Sequence, residues 1–301
     1  MILESIRASL LMDLPNSSIA KSSHWEFHTR QAEISAESKI SGIDGFSNRT
    51  GKFPGSTSLH KRNLRKLYPW AHKQFSSTNF EQAIQICHAQ SREVDSCVAR
   101  HIFTIDLLEK FKEMPHRIVC VIGDGQSNFV SLALARKFCD KLISINLTEV
   151  LLSDLDLLEN IATLTENEIA VASSPAEVIE FLNNPQQKLL LISAQNSSII
   201  SDMDIELFVN IASFQEMTPA LVQEYFKIIQ SNNAYLYCCN RVEKQLYGGE
   251  INRFFDFPWG ESRVLLDEPC KWHQHSYSLR SPQLYKRFPF DGEIWHRLVK
   301  F

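Results

Sequence analysis

The chain has 301 residues, of which 44% are hydrophobic and 22% charged, and its formal net charge is -4. This length suits one large domain or two smaller ones with a full hydrophobic core. The slightly acidic balance argues against nucleic acid or an anionic membrane as a partner of the whole surface. No run of about eighteen apolar residues is present, so we expect no transmembrane helix.

The N-terminal stretch and the cysteines indicate where the protein resides. The stretch carries Glu4 and Asp13 and lacks a basic leader, so we expect no signal peptide. The seven cysteines form no C-x-x-C pair, and several lie in apolar runs, where free cysteine behaves as a small hydrophobe. We therefore predict a reduced, cytoplasmic compartment.

The sequence before the glycine-rich region divides into two parts. Residues 1–60 are polar and rich in serine, and the segment 47–58 is typical of a loop, so we predict a loop-rich N-terminal segment. Residues 61–114 form a predicted helical extension, because apolar residues recur at three- and four-residue spacing. The basic run 61–73 is interpreted as an amphipathic helix with a solvated face; an anionic substrate or nucleic acid is the alternative partner.

From residue 115 onward, short apolar runs alternate with helical patterns, which predicts a Rossmann-like α/β domain over residues 115–301. The runs are continuous, as expected for parallel strands covered by helices on both faces. Two segments of the tail, 271–279 and 294–301, alternate in polarity and are expected to pair antiparallel at the sheet edge. The predicted strands are residues 118–122, 141–146, 188–195, 205–213 and 234–240.

Residues 117–138 predict a buried strand, a tight turn at Gly123, Asp124 and Gly125, and a helix that opens near Ser127. Such units build nucleotide sites, because glycine lets the backbone approach a ligand and the helix N-terminus offers free N–H groups. The turn lacks the third glycine of the dinucleotide fingerprint and the Lys-Ser/Thr of a P-loop. It is typical of S-adenosylmethionine (SAM) enzymes; a turn without any cofactor is the alternative.

Glycines and polar residues follow every predicted parallel strand, at the edge where ligands bind in such sheets. Each one alone is explained by turn or cap hydrogen bonds, but their convergence on one edge favours a site. They are Gly123, Asp124 and Gly125 after the first strand, Asn146 and Glu149 after the second, Gln195 and Asn196 after the third, Asn210, Ser213, Gln215 and Glu216 after the fourth, and Asn240, Arg241 and Glu243 after the fifth.

The end of the second strand is where a nucleoside cofactor is usually held by a carboxylate on its ribose. This chain has Asn146 at that place. Its amide both accepts and donates hydrogen bonds but carries no charge. Glu149 is the substitute carboxylate if the turn brings it round.

The segment LFVNIASFQEMTPALVQEYFKII, together with VIGDGQS, INLTEVL and the strand that ends CCNR, resembles the sugar O-methyltransferases. These are a SAM-dependent family of bacterial glycan biosynthesis. The resemblance covers roughly residues 118–241, and Asn146 and Thr148 stand where the family has an acidic residue and a proline. The matching positions are Gly123, Gly125, Asn146, Leu147, Glu149, Asn210, Ser213, Phe214, Gln215, Glu216, Met217, Asn240 and Arg241.

The resemblance implies a Rossmann-like SAM-dependent methyltransferase that transfers a methyl group to a saccharide hydroxyl in surface polysaccharide or glycan biosynthesis. The acceptor is a free, nucleotide-linked or lipid-linked sugar. The residues expected to bind SAM are Gly123, Asp124, Gly125, Asn146, Glu149, Gln195, Asn210 and Ser213, and those expected to bind the sugar are Gln215, Asn240 and Arg241.

Two groups are candidates for the base that takes the hydroxyl proton. Glu216 is the first; the alternative is a carboxylate that stabilises the following helix. His273 is the second, because His273 and His275 would share one face of a strand, where they could act as a pair of proton acceptors or as two ligands of a metal ion. Surface histidines are the alternative. No carboxylate cluster calls for a metal, so we predict none.

Two rival functions remain open at this point. The chain could be a nicotinamide-dependent oxidoreductase, which the missing third glycine and missing acidic residue disfavour. It could also be a binding or scaffold subunit that kept the fold and lost the cofactor. The N-terminal extension is predicted to cover the site, or to form the contact of a homo-oligomer.

Overall fold

One large sheet flanked by helices organises the chain in a computed structural model. The structure describes residues 3–35, 39–43, 62, 64–66, 68–71, 73, 75, 77–92, 94–160, 164–277 and 287–301. The α-helices are α1 (Glu4–Asp13), α2 (Ser23–Thr29), α3 (Thr78–Ala89), α4 (Ser96–Leu108), α5 (Asn128–Arg136), α6 (Thr148–Leu158), α7 (Pro175–Asn183) and α8 (Pro219–Ser231). The strands are β1 (Glu33–Ile34), β2 (Ile40–Ser41), β3 (Ile118–Ile122), β4 (Lys141–Asn146), β5 (Ile169–Val171), β6 (Leu189–Ser193), β7 (Leu207–Ile211), β8 (Tyr235–Arg241), β9 (Glu243–Gln245), β10 (Ile251–Arg253), β11 (Arg263–Pro269), β12 (His275–Tyr277), β13 (Arg287–Pro289) and β14 (Ile294–Lys300).

The main sheet has eight strands in the order β11-β14-β8-β7-β3-β4-β6-β5. The six strands from β8 to β5 run parallel, and β14 is antiparallel to both of its neighbours. From β3 the chain first moves to β4 on one side and later returns to β7 on the other. This reversal creates a crevice at the carboxyl ends of β3, β4 and β7.

The two faces of the sheet bury two separate hydrophobic clusters. In β3, Val119 and Val121 join the cluster that contains residues of α3, α4 and α5, whereas Cys120 and Ile122 join the cluster of α7 and α8. Both faces are therefore covered, which explains why the strand is a continuous apolar run. The predicted α/β sheet with helices on both faces is confirmed.

The predicted pairing of the two tail segments is wrong. β14 pairs with β8 and β11, while β12 leaves the large sheet and pairs with β13. The true partner β11 is a polar edge strand, held in part by Arg297, which bonds the Asp267 carboxylate at 2.8 Å. A charged edge strand has no apolar alternation, so the sequence pattern pointed to the wrong neighbour.

The N-terminal segment contains helices where a loop-rich segment was predicted. The helix α1 buries Leu10 and donates from Arg7 to Asp156 of α6 at 2.6 Å, and a helical turn (Leu14–Ala20) leads on to α2. Contacts with the sheet domain stabilise these helices, although the serine-rich sequence has only a weak helical pattern of its own. The predicted loop 47–58 and part of the basic run 61–73 lie outside the described residues.

Several predicted strand boundaries also shift. The strand predicted over 188–195 ends at Ser193, and the strand predicted over 205–213 spans only Leu207–Ile211. Gln195 consequently lies in a helical turn (Ala194–Ile200) after β6. None of the helices in the described part of the chain combines the length and the apolarity needed to cross a membrane.

Candidate functional site

A cleft opens at the reversal point of the sheet and encloses about 1140 Å³ of space, part of it open solvent. The turns after β3, β4 and β7 form its floor, and the N-terminal segment adds a wall through Ala20, Ser22 and Trp25. Of the residues predicted from sequence, the cleft brings together Gly123, Asp124, Gly125, Asn146, Ser213, Glu216 and His273. Of the other predicted residues, Arg241 and Glu243 line a second cavity, and the rest are not part of the cleft lining.

Gly123 is required for two independent reasons. Its φ is +73°, in the left-handed region that glycine tolerates. A Cβ atom built on it would also lie 1.8 Å from the Ser213 hydroxyl. The turns after β3 and β7 are therefore in direct contact, and any side chain at Gly123 would push them apart.

The residues that continue this turn, Gln126 and Ser127, both have left-handed backbone, with φ of 61° and 48°. Non-glycine residues adopt this region at a cost of roughly 1 kcal/mol each. Arg92, which is 1% exposed, donates to the Gln126 carbonyl at 2.9 Å and to Asn128 Oδ1 at 3.2 Å. A buried arginine thus holds a strained loop at the cleft, as is common at ligand sites. No local pattern in the sequence indicated this role.

Asp124 holds the turn rather than offering a free carboxylate. Its two oxygens accept the backbone N–H groups of Phe129 and Val130, at 3.0 and 2.7 Å, at the start of α5. Burial raises the pKa of Asp124 to about 6, although these N–H groups lower it. The carboxylate therefore caps the helix.

Asn146 presents an unsatisfied donor. Its Oδ1 accepts the backbone N–H of Leu147 at 2.9 Å, while its Nδ2 is buried and has no hydrogen-bond partner among the described residues. The residue is 8% exposed and lines the cleft at the end of β4. Leaving such a donor unpaired is costly, so an acceptor on a bound ligand would be stabilising.

Glu149 and Gln195 bind the N-terminal segment. Glu149 accepts from the Ser17 hydroxyl at 2.8 Å and from Lys21 Nζ at 2.5 Å. Gln195 donates to the backbone carbonyl of Asp13 at 2.9 Å. Neither residue lines the cleft as the structure describes it, so the turn after β4 does not bring Glu149 round to replace the missing ribose carboxylate.

The side-chain amides around residues 213–217 (SFQEM) form an internal hydrogen-bond network. The Nδ2 of Asn240 donates to Asn210 Oδ1 at 2.8 Å, and both residues are fully buried. These amides accept the backbone N–H groups of Phe214 and Gln215, each at 3.1 Å. Gln215 in turn accepts the N–H of Arg241 at 2.8 Å. The residues expected to touch cofactor or sugar therefore shape the loop that presents Ser213 and Glu216.

Glu216 lies between the cleft and a second cavity. Its Oε1 is 3.0 Å from Lys244 Nζ, and its Oε2 is 3.5 Å from Nε2 of His24. Burial lowers the pKa of His24 to about 4, although Glu216 raises it, so the imidazole is neutral at pH 7. The second cavity is lined by His24, Arg241, Glu243, Lys244, Gln245, Tyr247, Asp291 and Gly292.

His273 is buried, not on a surface strand. It is 2% exposed and precedes β12, which begins at His275, so the prediction that the two histidines share one strand face is wrong. The His273 Nδ1 lies 3.9 Å from Cys239 Sγ, and burial lowers its pKa well below the usual value. Packing of Trp272 and His273 against the domain separates them from the strand that follows.

Two further residues of the cleft, Arg100 and His101, were not predicted from the sequence. Both lie in the apolar repeat of α4, where nothing sets them apart from other helix positions. Within the described residues, no three His, Cys, Asp or Glu side chains are grouped so as to hold a metal ion.

No protein-family model matches the chain, and a comparison with curated proteins finds no match. Several solved structures are similar in backbone. A SAM-dependent methyltransferase from Leishmania major is 11% identical, covers 81% of this chain and 82% of its own, and gives a TM-score of 0.42. A SAM-dependent methyltransferase from Aquifex aeolicus is 12% identical, with 65% and 88% covered and a TM-score of 0.35. A bacterial Hen1 methyltransferase domain is 13% identical, with 69% and 100% covered and a TM-score of 0.39.

Proposed function

We propose that the chain is a SAM-dependent methyltransferase whose acceptor is a sugar hydroxyl, in surface polysaccharide or glycan biosynthesis. The observation that carries the proposal is the unpaired amide donor of Asn146. It lines the cleft at the end of β4, beside a turn that only glycine can form. The end of the second strand of such a sheet is where the ribose of a nucleoside cofactor binds.

The cleft fits a nucleoside cofactor in its chemistry. Asn146 Nδ2 is a donor for a ribose hydroxyl, and the close approach of Gly123 to Ser213 leaves backbone rather than side chain at the floor. The apolar residues Ile145 and Leu147 also line it. When bound, SAM supplies an electrophilic methyl group.

Glu216 is the residue that we propose as the base for the proton of the attacking hydroxyl. Its carboxylate lines the cleft and lies at hydrogen-bond distance from Lys244, which belongs to the second cavity. A hydroxyl bound between the two cavities would therefore meet this carboxylate, which is the geometry a general base needs. The buried amides Asn210 and Asn240 fix the loop that carries it.

The second cavity supports a sugar as acceptor. Tyr247 is 62% exposed, stacks on His24 with a ring separation of 5.6 Å, and contacts Phe27 at 4.7 Å. Side chains of both charge signs, among them Arg241 and Asp291, surround this aromatic surface. An aromatic face for the apolar side of a ring, with several polar groups for its hydroxyls, matches the needs of a saccharide.

Calorimetric titration with SAM and with NAD tests the cofactor. We expect SAM to bind and NAD not to bind. The Asn146→Asp variant should bind SAM more tightly, because a carboxylate accepts hydrogen bonds from the ribose hydroxyls. The affinity of the Asn146→Leu variant for SAM should be about tenfold lower or more. Asn183→Asp, which adds the same charge at an exposed position, is the matched control. Binding of NAD alone would indicate an oxidoreductase, and binding of neither would indicate a scaffold subunit.

Methyl transfer from labelled SAM to a panel of free and nucleotide-linked sugars tests the base. Glu216→Gln should lower turnover by roughly 10² or more while SAM affinity stays within about twofold. Glu224→Gln, an exposed change on α8, should leave turnover unchanged. Unaltered turnover in Glu216→Gln would remove this residue from the mechanism but leave the cofactor assignment standing.

A further inference from the structure

Arg100 is a buried cation in the cleft, and within the described residues it forms no ion pair with a carboxylate. It lies on α4, is 8% exposed, and its Nε is buried with no hydrogen-bond partner among the described residues. Its remaining contacts are weak: Nη2 lies 3.4 Å from the His275 carbonyl and Nη1 3.8 Å from Cys97 Sγ. Its guanidinium also lies 5.4 Å from the Phe290 ring.

The titratable groups around Arg100 form no ion pair with it among the described residues. Asp95 is the N-cap of the same helix, and its Oδ1 accepts the backbone N–H groups of Cys97 and Val98. Asp106, further along the helix, pairs with Arg136. Burial lowers the pKa of Arg100, whereas the neighbouring Cys97, Tyr68, Asp95 and Cys270 raise it. Burial lowers the pKa of His101 to about 3 and that of His273 well below its usual value, so both rings are neutral. The guanidinium of Arg100 therefore lines the cleft without a direct ion-pair partner in the described part of the chain.

A buried charge without a partner is strongly unfavourable, whereas a guanidinium paired with a carboxylate forms two parallel charge-assisted hydrogen bonds. We propose that Arg100 binds a carboxylate of the ligand held in this cleft. The inference rests on the proposed function, which supplies two sources of that group: the amino-acid part of SAM, or an acidic sugar acceptor.

The position of Arg100 agrees with an extended ligand. Asn146 follows β4, whereas Arg100 bonds to the segment at His275 and lies near His273, which contacts Cys239 of β8. The strands β4 and β8 lie on opposite sides of β3, whose turn carries Gly123. The cleft thus has an amide donor at one end and a cation at the other, with the glycine turn between them.

Titration of wild-type protein and Arg100→Met with two probes tests the cofactor source. S-adenosylhomocysteine (SAH) carries the amino-acid carboxylate, and 5′-methylthioadenosine carries the same nucleoside without it. If Arg100 pairs with the cofactor, Arg100→Met should lower the affinity for SAH by about tenfold or more, and Arg100→Lys should recover part of that loss. Methylthioadenosine should bind with equal affinity to the wild type and to both variants.

Titration with glucuronate and with glucose, in the absence and presence of SAH, tests the acceptor source. If Arg100 pairs with the acceptor, glucuronate should bind more tightly than glucose to the wild type, and Arg100→Met should abolish that preference. Failure of the wild type to bind either nucleoside would contradict the proposed function, while the glucuronate arm would still test Arg100.

Arg136→Met is the matched control, because the side chain of this arginine is only 5% exposed but is paired with Asp106 and Glu109 at 2.9 and 2.5 Å. It should lower the melting temperature and leave every affinity unchanged. Arg100→Met should lower the melting temperature of the unliganded protein much less than Arg136→Met does, because it breaks no ion pair of the described residues. Destabilisation equal to that of Arg136→Met, with unchanged affinities for SAH and glucuronate, would overturn the proposal.

Discussion

Asp124 shows how the turn after β3 is stabilised and at what cost. Its carboxylate caps α5 through two backbone N–H groups, but it is only 3% exposed. Burial raises its pKa to about 6, so the ionised form is disfavoured in the folded protein. The nearby Asp154 on α6 is also buried; burial raises its pKa well above the usual value and the charge of Asp124 raises it further. Two buried carboxyls therefore lie beneath the strained loop.

The sign of this shift gives a testable pH dependence. A carboxyl whose folded pKa exceeds its unfolded value stabilises the fold at low pH, and this contribution is lost as pH rises from the unfolded to the folded pKa. For Asp124 that window runs from about pH 4 to about pH 6, and the loss is on the order of 3 kcal/mol. Urea unfolding at several pH values should show the wild type losing stability relative to Asp124→Asn across this window.

Asp256→Asn, an exposed change after β10, is the control for the loss of one carboxylate. A constant difference between Asp124→Asn and the wild type from pH 4 to pH 7 would show that Asp124 keeps an ordinary pKa in the fold.

At the scale of elements, the N-terminal segment is a wall of the cleft because it is held at several points. Lys21 and Glu149 form a largely buried ion pair, and the Ser22 hydroxyl bonds the carbonyl of Glu216. The helix α2, which follows directly, places Trp25 against the cleft and His24 against Glu216. The base candidate is therefore positioned from both sides, by the loop after β7 and by α2.

The sheet could be predicted from sequence because its parallel strands are buried on both faces. The strand β3 reads as an unbroken apolar run followed by a glycine turn, and β4 and β6 repeat the pattern. The N-terminal helices and the pairing of β14 could not be predicted, because their stability comes from contacts far away in the sequence. Arg7, which bonds α6, is one such contact.

Which residues come together at the cleft could be predicted from sequence only in part. Position along the sheet edge predicted that Gly123, Asn146 and Glu216 would lie close to one another, and all three line the cleft, since the ends of parallel strands meet there. It did not reveal that Asn210 faces its neighbours, since a polar residue after a strand serves a ligand and a hydrogen-bond network equally well. Arg100 was missed because it lies inside a helix, and only the fold shows that its Nε is buried without a hydrogen-bond partner among the residues described.

For the whole molecule, the cleft joins four separate parts of the chain: the N-terminal segment, the helix α4, the turns of the sheet, and the segment that contains His273. A ligand that touches all four should stabilise them together, by an amount that depends on its concentration relative to its dissociation constant. At one hundred times that constant, the gain approaches roughly 2.7 kcal/mol, equivalent to about a hundredfold slower opening.

Hydrogen exchange with and without saturating SAH measures this coupling. We expect slower exchange in residues 20–29, 123–130 and 212–217, because these segments line the cleft or hold it, and unchanged exchange in β11, which is an edge strand distant from the cleft lining. Slower exchange limited to residues 123–130 would mean that the N-terminal segment does not contact the ligand, so that α2 positions Glu216 without forming a wall of the site. Slower exchange in all three segments would establish that the N-terminal helices, which the sequence pattern did not reveal, are part of the binding machinery.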